Sequence, residues 1–156
     1  MHRAIKRIKI WTDGACTGNH HKNYKLRKAG CGIYYAKNDT RNKSVKLKPC
    51  KNHHLTNNRA ELLAIAVALN QNKNNKVQII TDSTYSRDVI TKWAESWKKK
   101  GWKKSNKKQP ENLDIIKPLY YFINSMKYKP TFKWVKGHSN SFENNEADRL
   151  ANQALY

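Results

Sequence analysis

The apolar rhythm of the chain first changes at Thr56, and that change restricts the fold to a sheet begun by neighbouring strands and finished through helical crossovers. Before it, Ile8-Lys9-Ile10-Trp11-Thr12-Asp13 alternates as a strand expected to stop at Gly14. Residues 29–37 (AGCGIYYAK) predict a second strand and 44–51 a third. The third is placed at the outer edge, where Lys46, Lys48 and Lys51 discourage pairing with another chain. After it, Leu62, Ile65, Ala66 and Leu69 recur at helical spacing, and so do Ala60, Leu63, Ala64 and Val67. Two apolar stripes predict a helix buried on most sides, with cap chemistry at Thr56-Asn57-Asn58. Residues 77–82 (VQIITD) predict a fourth strand, 83–97 a second helix capped by Ser83, and 110–126 a third helix with Pro118 inside it. A fifth strand is expected at 131–135 and a last helix at 140–156, opened by Asn140 and Glu143 as a capping box. Three strands without intervening helices suit an antiparallel meander, and the later alternation suits parallel crossovers. The expectation is an α/β fold, a mixed five-stranded sheet flanked by helices on both faces, in one domain spanning 1–156.

Charge narrows the function classes. The 156 residues include 32 Lys and Arg against 11 Asp and Glu, a formal net charge of +21. Such a surface suits polyanions, because neutralising phosphates releases condensed counterions. A lysine bias from coding composition explains some lysines but not the scarcity of acids. Disorder is the other reading of so high a charge, and five Trp, eight Tyr and clean apolar periods argue against it. Cys16, Cys31 and Cys50 form no CxxC pair and no zinc spacing, and an odd count fits a reducing compartment. Residues 1–7 are basic without an apolar stretch, and no span is long and apolar enough for a membrane helix. A monomer in the cytoplasm or another soluble intracellular compartment is expected, with no membrane partner.

Two strands end alike, IWTDG at Asp13 and IITDS at Asp82. Ligands of open α/β sheets gather at the carboxyl ends of strands. Each Asp taken alone reads equally as a turn or cap residue. Glu61 sits in the first turns of an apolar helix, where a carboxylate is costly unless a cation or hydrogen bonds compensate; Arg59 is the plain candidate for its partner. Asp148 lies beside Ala147, Leu150 and Ala151 in the last helix and alone reads as a solvated acid. Four carboxylates in one cleft become sensible around hard divalent cations, since Mg²⁺ takes oxygen ligands. Two such ions serve phosphodiester hydrolysis. No P-loop or dinucleotide fingerprint is present.

The motifs TDG at 12–14, TNNRAEL at 56–62, TDS at 81–83, VKGHS at 135–139 and NNEADRLA at 144–151 together resemble the type 1 ribonuclease H family, in order and spacing, over about residues 8–154. The resemblance implies a ribonuclease H-like fold and an endonuclease that hydrolyses the RNA strand of RNA–DNA hybrids, leaving 5′-phosphate and 3′-hydroxyl ends. It implies that Asp13, Glu61, Asp82 and Asp148 bind two Mg²⁺ ions, with Mn²⁺ the alternative, and that His138 assists catalysis. It places Cys16, Gly18, Asn19, Asn57 and Asn58 against the RNA minor groove, where 2′-hydroxyls distinguish RNA from DNA. Thr56 and Asn112 match positions that hold a DNA phosphate, His54 stands where some relatives carry Arg, and Tyr85 and Trp93 match aromatics beside the DNA strand. Residues 93–109 resemble the family's basic protrusion, with Trp97, Lys98, Lys99, Lys100, Trp102, Lys103, Lys104, Lys107 and Lys108 interleaving charge and indole. Two readings stand beside this one: a basic nucleic-acid-binding module that keeps the fold without catalysis, and a nuclease domain from a reverse transcriptase.

Overall fold

A computed structural model of the chain describes residues 5–18, 26–50, 52–137 and 141–156. Five strands, β1 (Ile8–Thr17), β2 (Lys28–Tyr34), β3 (Lys43–Leu47), β4 (Val77–Thr81) and β5 (Thr131–Trp134), make one sheet in the order β3-β2-β1-β4-β5. β1, β2 and β3 pair antiparallel, while β4 joins β1 and β5 joins β4 in parallel. The helices are α1 (Asn57–Asn70), α2 (Thr84–Asp88), α3 (Ala94–Lys99), α4 (Leu113–Ser125) and α5 (Phe142–Gln153). This is the expected mixed sheet, with β3 at its edge.

Neighbouring residues of β1 and β2 face opposite sides of the sheet. α1 packs on one side, where Gly14 faces Ala60 and Glu61, and α5 packs on the other, where Gly30 and Gly32 face Ala147, Ala151 and Ala154. The main core lies on the α1 side and joins Ile10, Ile79, Leu62, Ile65, Leu69 and Ile116, all fully buried. The two stripes read in α1 are both used, because the helix lies between the sheet and α4.

Element ends moved where side chains or register intervene. β1 does not stop at Gly14. Its pairing with β4 ends at Thr12 and Thr81, but β2 goes on offering partners as far as Thr17 and Lys28. β2 ends at Tyr34 because the Tyr35 N–H turns to donate to Asn42 Oδ1 at 2.7 Å. β3 ends at Leu47, ahead of Pro49, which has no N–H for a ladder. The 83–97 helix runs as α2, a π-helical turn over Val89–Trp93, and α3, reaching Lys99. α4 opens at Leu113 and not at 110, since Asn112 takes φ 62°, outside the helical region. α5 is capped by Ser141, whose Oγ accepts from Asn144 N at 3.3 Å, and not by the Asn140 box; Asn140 lies outside the described residues. The caps expected at Thr56 and Ser83 form, accepting from Arg59 N and Ser86 N, each at 3.1 Å.

Candidate active site

The parallel ladder between β1 and β4 ends at Thr12 and Thr81, so the next residue of each strand, Asp13 and Asp82, leaves it at the same level. α1 crosses above this end with Glu61 in its second turn. Carboxylate oxygens of Asp13, Glu61 and Asp82 all lie within 4.8 Å of one another. Asp148 stands outside that trio but lines the same cleft from α5, together with Asn57, Asn58, Ser83, Tyr85 and Asn144.

Two glycines set these approaches. A Cβ on Gly14 would lie 2.4 Å from Glu61 N, and one on Gly32 would lie 2.0 Å from Ala147 O. Real Cβ atoms do not come so close, so only glycine lets α1 and α5 descend onto the strands far enough to bring Glu61 and Asp148 to Asp13. Behind them the Cys31 thiol donates to Ala60 O at 3.3 Å. Burial, with Glu61 and Asp13 nearby, pushes that thiol up to about 12, so it remains neutral packing.

Asp13 is 4% exposed and Glu61 8%. Burial first, then the charge and hydrogen bonding of Glu61, the contact with Asp148 and the charge of Asp82, holds the Asp13 carboxyl well above its ordinary range. Burial does the same to Glu61, against a hydrogen bond with Asp13 and with help from the charges of Asp82 and Asp148. Glu61 Oε2 is buried with no hydrogen-bond partner among the described residues. An orphaned carboxylate oxygen costs about 1–3 kcal/mol or more. Hard oxygen donors, an unpartnered buried oxygen and mutual repulsion fit a site that could hold a divalent cation.

Arg59 is not the partner of Glu61. It is 6% exposed and reaches across to α4, where its guanidinium donates to both Asp114 oxygens at 2.9 and 2.8 Å and to Asn112 Oδ1 at 3.2 Å. Asn112 Nδ2 in turn donates to the Tyr85 hydroxyl at 3.0 Å. This network, with the Thr56 cap on Arg59 N, shapes a second polar hollow beside the cleft, lined by His54, Thr56, Asn58, Arg59 and Asn112. Sequence reasoning named most of its members but missed Asp114, because no local pattern links residues 55 apart. It also missed Trp134, whose indole Nε1 donates to Asp82 O at 3.1 Å and steadies that strand end.

The aromatic residues separate into two roles. Tyr85, Trp93 and Trp97 form a ladder, with ring centroids 6.4 and 5.9 Å apart and Trp93 41% exposed. Trp102 is turned inward, 9% exposed against Tyr120 at 5.5 Å, so its part is to anchor the protrusion and not to face solvent. Lys98, Lys99, Lys100 and Lys103 are exposed around it, and Lys104 is half-buried. Cys16 is half-buried near the end of β1, and Gly18 follows at φ 74°, a left-handed conformation that favours glycine. Asn19 and His138 lie outside the described residues.

The sequence matches the RNase H family over residues 5–156. A Ribonuclease H of Agrobacterium fabrum is 38% identical over 152 residues, covering 97% of this chain and 96% of its own. One from Enterobacter sp. is 40% identical over 151 residues, covering 96% and 89%. The fold is similar to that of LC9-RNase H1, a type 1 RNase H with the type 2 active-site motif, at a TM-score of 0.73 and 25% identity over 99% of this chain and 74% of that one. With sequence, fold and the carboxylate trio in agreement, the chain belongs to the RNase H family of endoribonucleases.

Proposed function

We propose that this enzyme hydrolyses the RNA strand of RNA–DNA hybrids as a single catalytic domain. The observation that carries the reading is the trio of buried Asp13 and Glu61 with half-buried Asp82, with its unpartnered Glu61 oxygen, opening on a polar cleft where the β1–β4 ladder ends. Asp13, Glu61, Asp82 and Asp148 would hold two Mg²⁺ ions, or Mn²⁺ in their place, which supply activation of water and stabilisation of the leaving oxygen in phosphodiester hydrolysis, giving 5′-phosphate and 3′-hydroxyl ends.

The remaining residues bind and orient. Asn57 and Asn58 are exposed in the first turn of α1 at the cleft, and with Cys16, Gly18 and Asn19 they face the minor groove and read 2′-hydroxyls. Thr56 and Asn112, with His54 beside them, hold a phosphate of the DNA strand in the second hollow, whose shape Arg59 and Asp114 maintain. Tyr85 and Trp93 lie along that strand, and Trp97, Lys98, Lys99, Lys100, Lys103 and Lys104 follow its backbone, with Trp102 fixing the loop that carries them. His138 assists catalysis without binding metal. End-labelled hybrid, duplex DNA and duplex RNA run on a gel after incubation with Mg²⁺ or with chelator test this. Cutting of the hybrid's RNA alone, and only with metal, is expected; cleavage in chelator, or equal cutting of all three, refutes it.

A further inference from the structure

On the face of the sheet where α5 packs, the helix lies over β2, β1 and β3, and beyond it Lys9, Thr131 and Lys133 are exposed. Register sets this open part in rows. Asp13 and Asp82 follow the last β1–β4 pair, Thr12 with Thr81, at the cleft. Two residues back, half-buried Trp11, buried Ile80 and exposed Lys133 lie side by side, and two further back, exposed Lys9, half-buried Gln78 and exposed Thr131. Successive rows are about 6.7 Å apart, and β1 to β5 spans about 10 Å, a width for one unpaired strand. At the far end Arg7 donates to Val77 O at 3.0 Å and Lys129 O at 3.1 Å, and Lys129 is exposed. Trp11 is half-buried, edge-on to Tyr34 at 6.4 Å. On the α5 side Glu143 and Glu146 stand near Tyr34, and Glu146 is paired with Arg149 at 2.9 Å. The exposed positive charge of the strip is that of Lys9, Lys133 and Lys129.

We propose that this strip, from Trp11 and Lys133 beside the carboxylates to Lys9 and Lys129, is a second binding surface that takes the single-stranded polynucleotide continuing from the hybrid out of the cleft. The proposal rests on the hydrolytic reading above for the position of the hybrid. Its own warrant is charge complementarity and continuity with the cleft. The lysines meet phosphates, and the indole offers a face for an unpaired base, an interaction indifferent to base identity.

Fluorescence anisotropy in chelator compares a blunt hybrid with hybrids carrying a short oligouridine extension at either RNA end, for the wild-type chain and for Lys9→Gln/Lys133→Gln. An extended hybrid should bind the wild type more tightly and with steeper salt dependence than the blunt one. The double variant should lose that advantage, flattening the salt slope by about 0.7 for each single-strand phosphate no longer neutralised, while blunt-hybrid binding and turnover stay unchanged. Equal binding of blunt and extended hybrids by the wild type overturns the proposal. So does an advantage that survives in the variant, or a variant that weakens both substrates alike. An abasic extension isolates the indole: weaker binding than oligouridine supports stacking on Trp11, and equal binding overturns that part. Cleavage of the blunt hybrid with Mg²⁺, run in parallel, bears on the hydrolytic reading alone, so the two failures are distinct.

Discussion

Asp13 and Glu61 are held above the ordinary carboxyl range by burial first and by neighbouring acids second. Above about pH 4 the folded, metal-free chain therefore keeps protons that the unfolded chain has released, and by linkage these groups subtract stability as pH rises towards and past neutrality. Removing one acid relieves this. In chelator, Asp13→Asn should melt above the wild type, and the gap should widen from about pH 5 to about pH 8. A gap that is flat with pH, in melts followed by circular dichroism, would show that the acids are not strained by one another. Asp82→Asn should abolish Mg²⁺-dependent cleavage with the fold intact, because the amide keeps the shape and loses the charge. Near-wild-type cleavage in a radiolabel assay contradicts the metal-holding role. Both acids were legible at this scale because each ends an apolar run with the same Thr-Asp pair. The unpartnered oxygen of Glu61 was not, since burial of a single atom depends on what α1 packs against.

At the scale of elements, the site depends on how closely helices approach strands. Gly32→Ala would set a Cβ against the Ala147 carbonyl, backbone that yields only if α5 shifts. Overpacking of this kind costs roughly 1–3 kcal/mol, and it draws Asp148 away from Asp13. Urea titration should show the loss of stability, and the Mg²⁺ concentration for half-maximal cleavage should rise; unchanged Mg²⁺ dependence would separate α5 from the site. The protrusion is a different kind of element, exposed lysines on a turn pinned by Trp102. Changing Lys99, Lys100 and Lys103 to Ala should raise KM and flatten its salt dependence by about 0.9 for each DNA phosphate no longer neutralised, with little change in turnover. A fall in turnover at constant KM would mean that the protrusion positions the scissile phosphate. Among the described residues periodicity found the five strands and the long helices, but their ends followed side-chain hydrogen bonds, as at Tyr35 and Asn42, that the local pattern does not carry.

For the whole molecule, the residues proposed to face the minor groove, spread over the end of β1 and the start of α1, imply that one 2′-hydroxyl is not enough. A duplex with a single ribonucleotide should be cut much more slowly than one with a run of four or more, about 10-fold or greater if a missing hydrogen bond costs about 1.4 kcal/mol. Equal rates on both substrates, measured under single turnover, would contradict a reading spread over consecutive sugars.

The sequence by itself determined the sheet class, the segments that become strands and long helices, and the identity of the acids, because alternation, helical spacing and strand endings are local. Tertiary structure alone decided which groups meet. Arg59 left its neighbour Glu61 for Asp114 on α4, Trp102 turned from the surface into the core, and Gly14 and Gly32 became the places where helices touch the sheet. Such pairings depend on the spacing between elements distant in sequence, and that spacing is fixed only when the whole core packs at once.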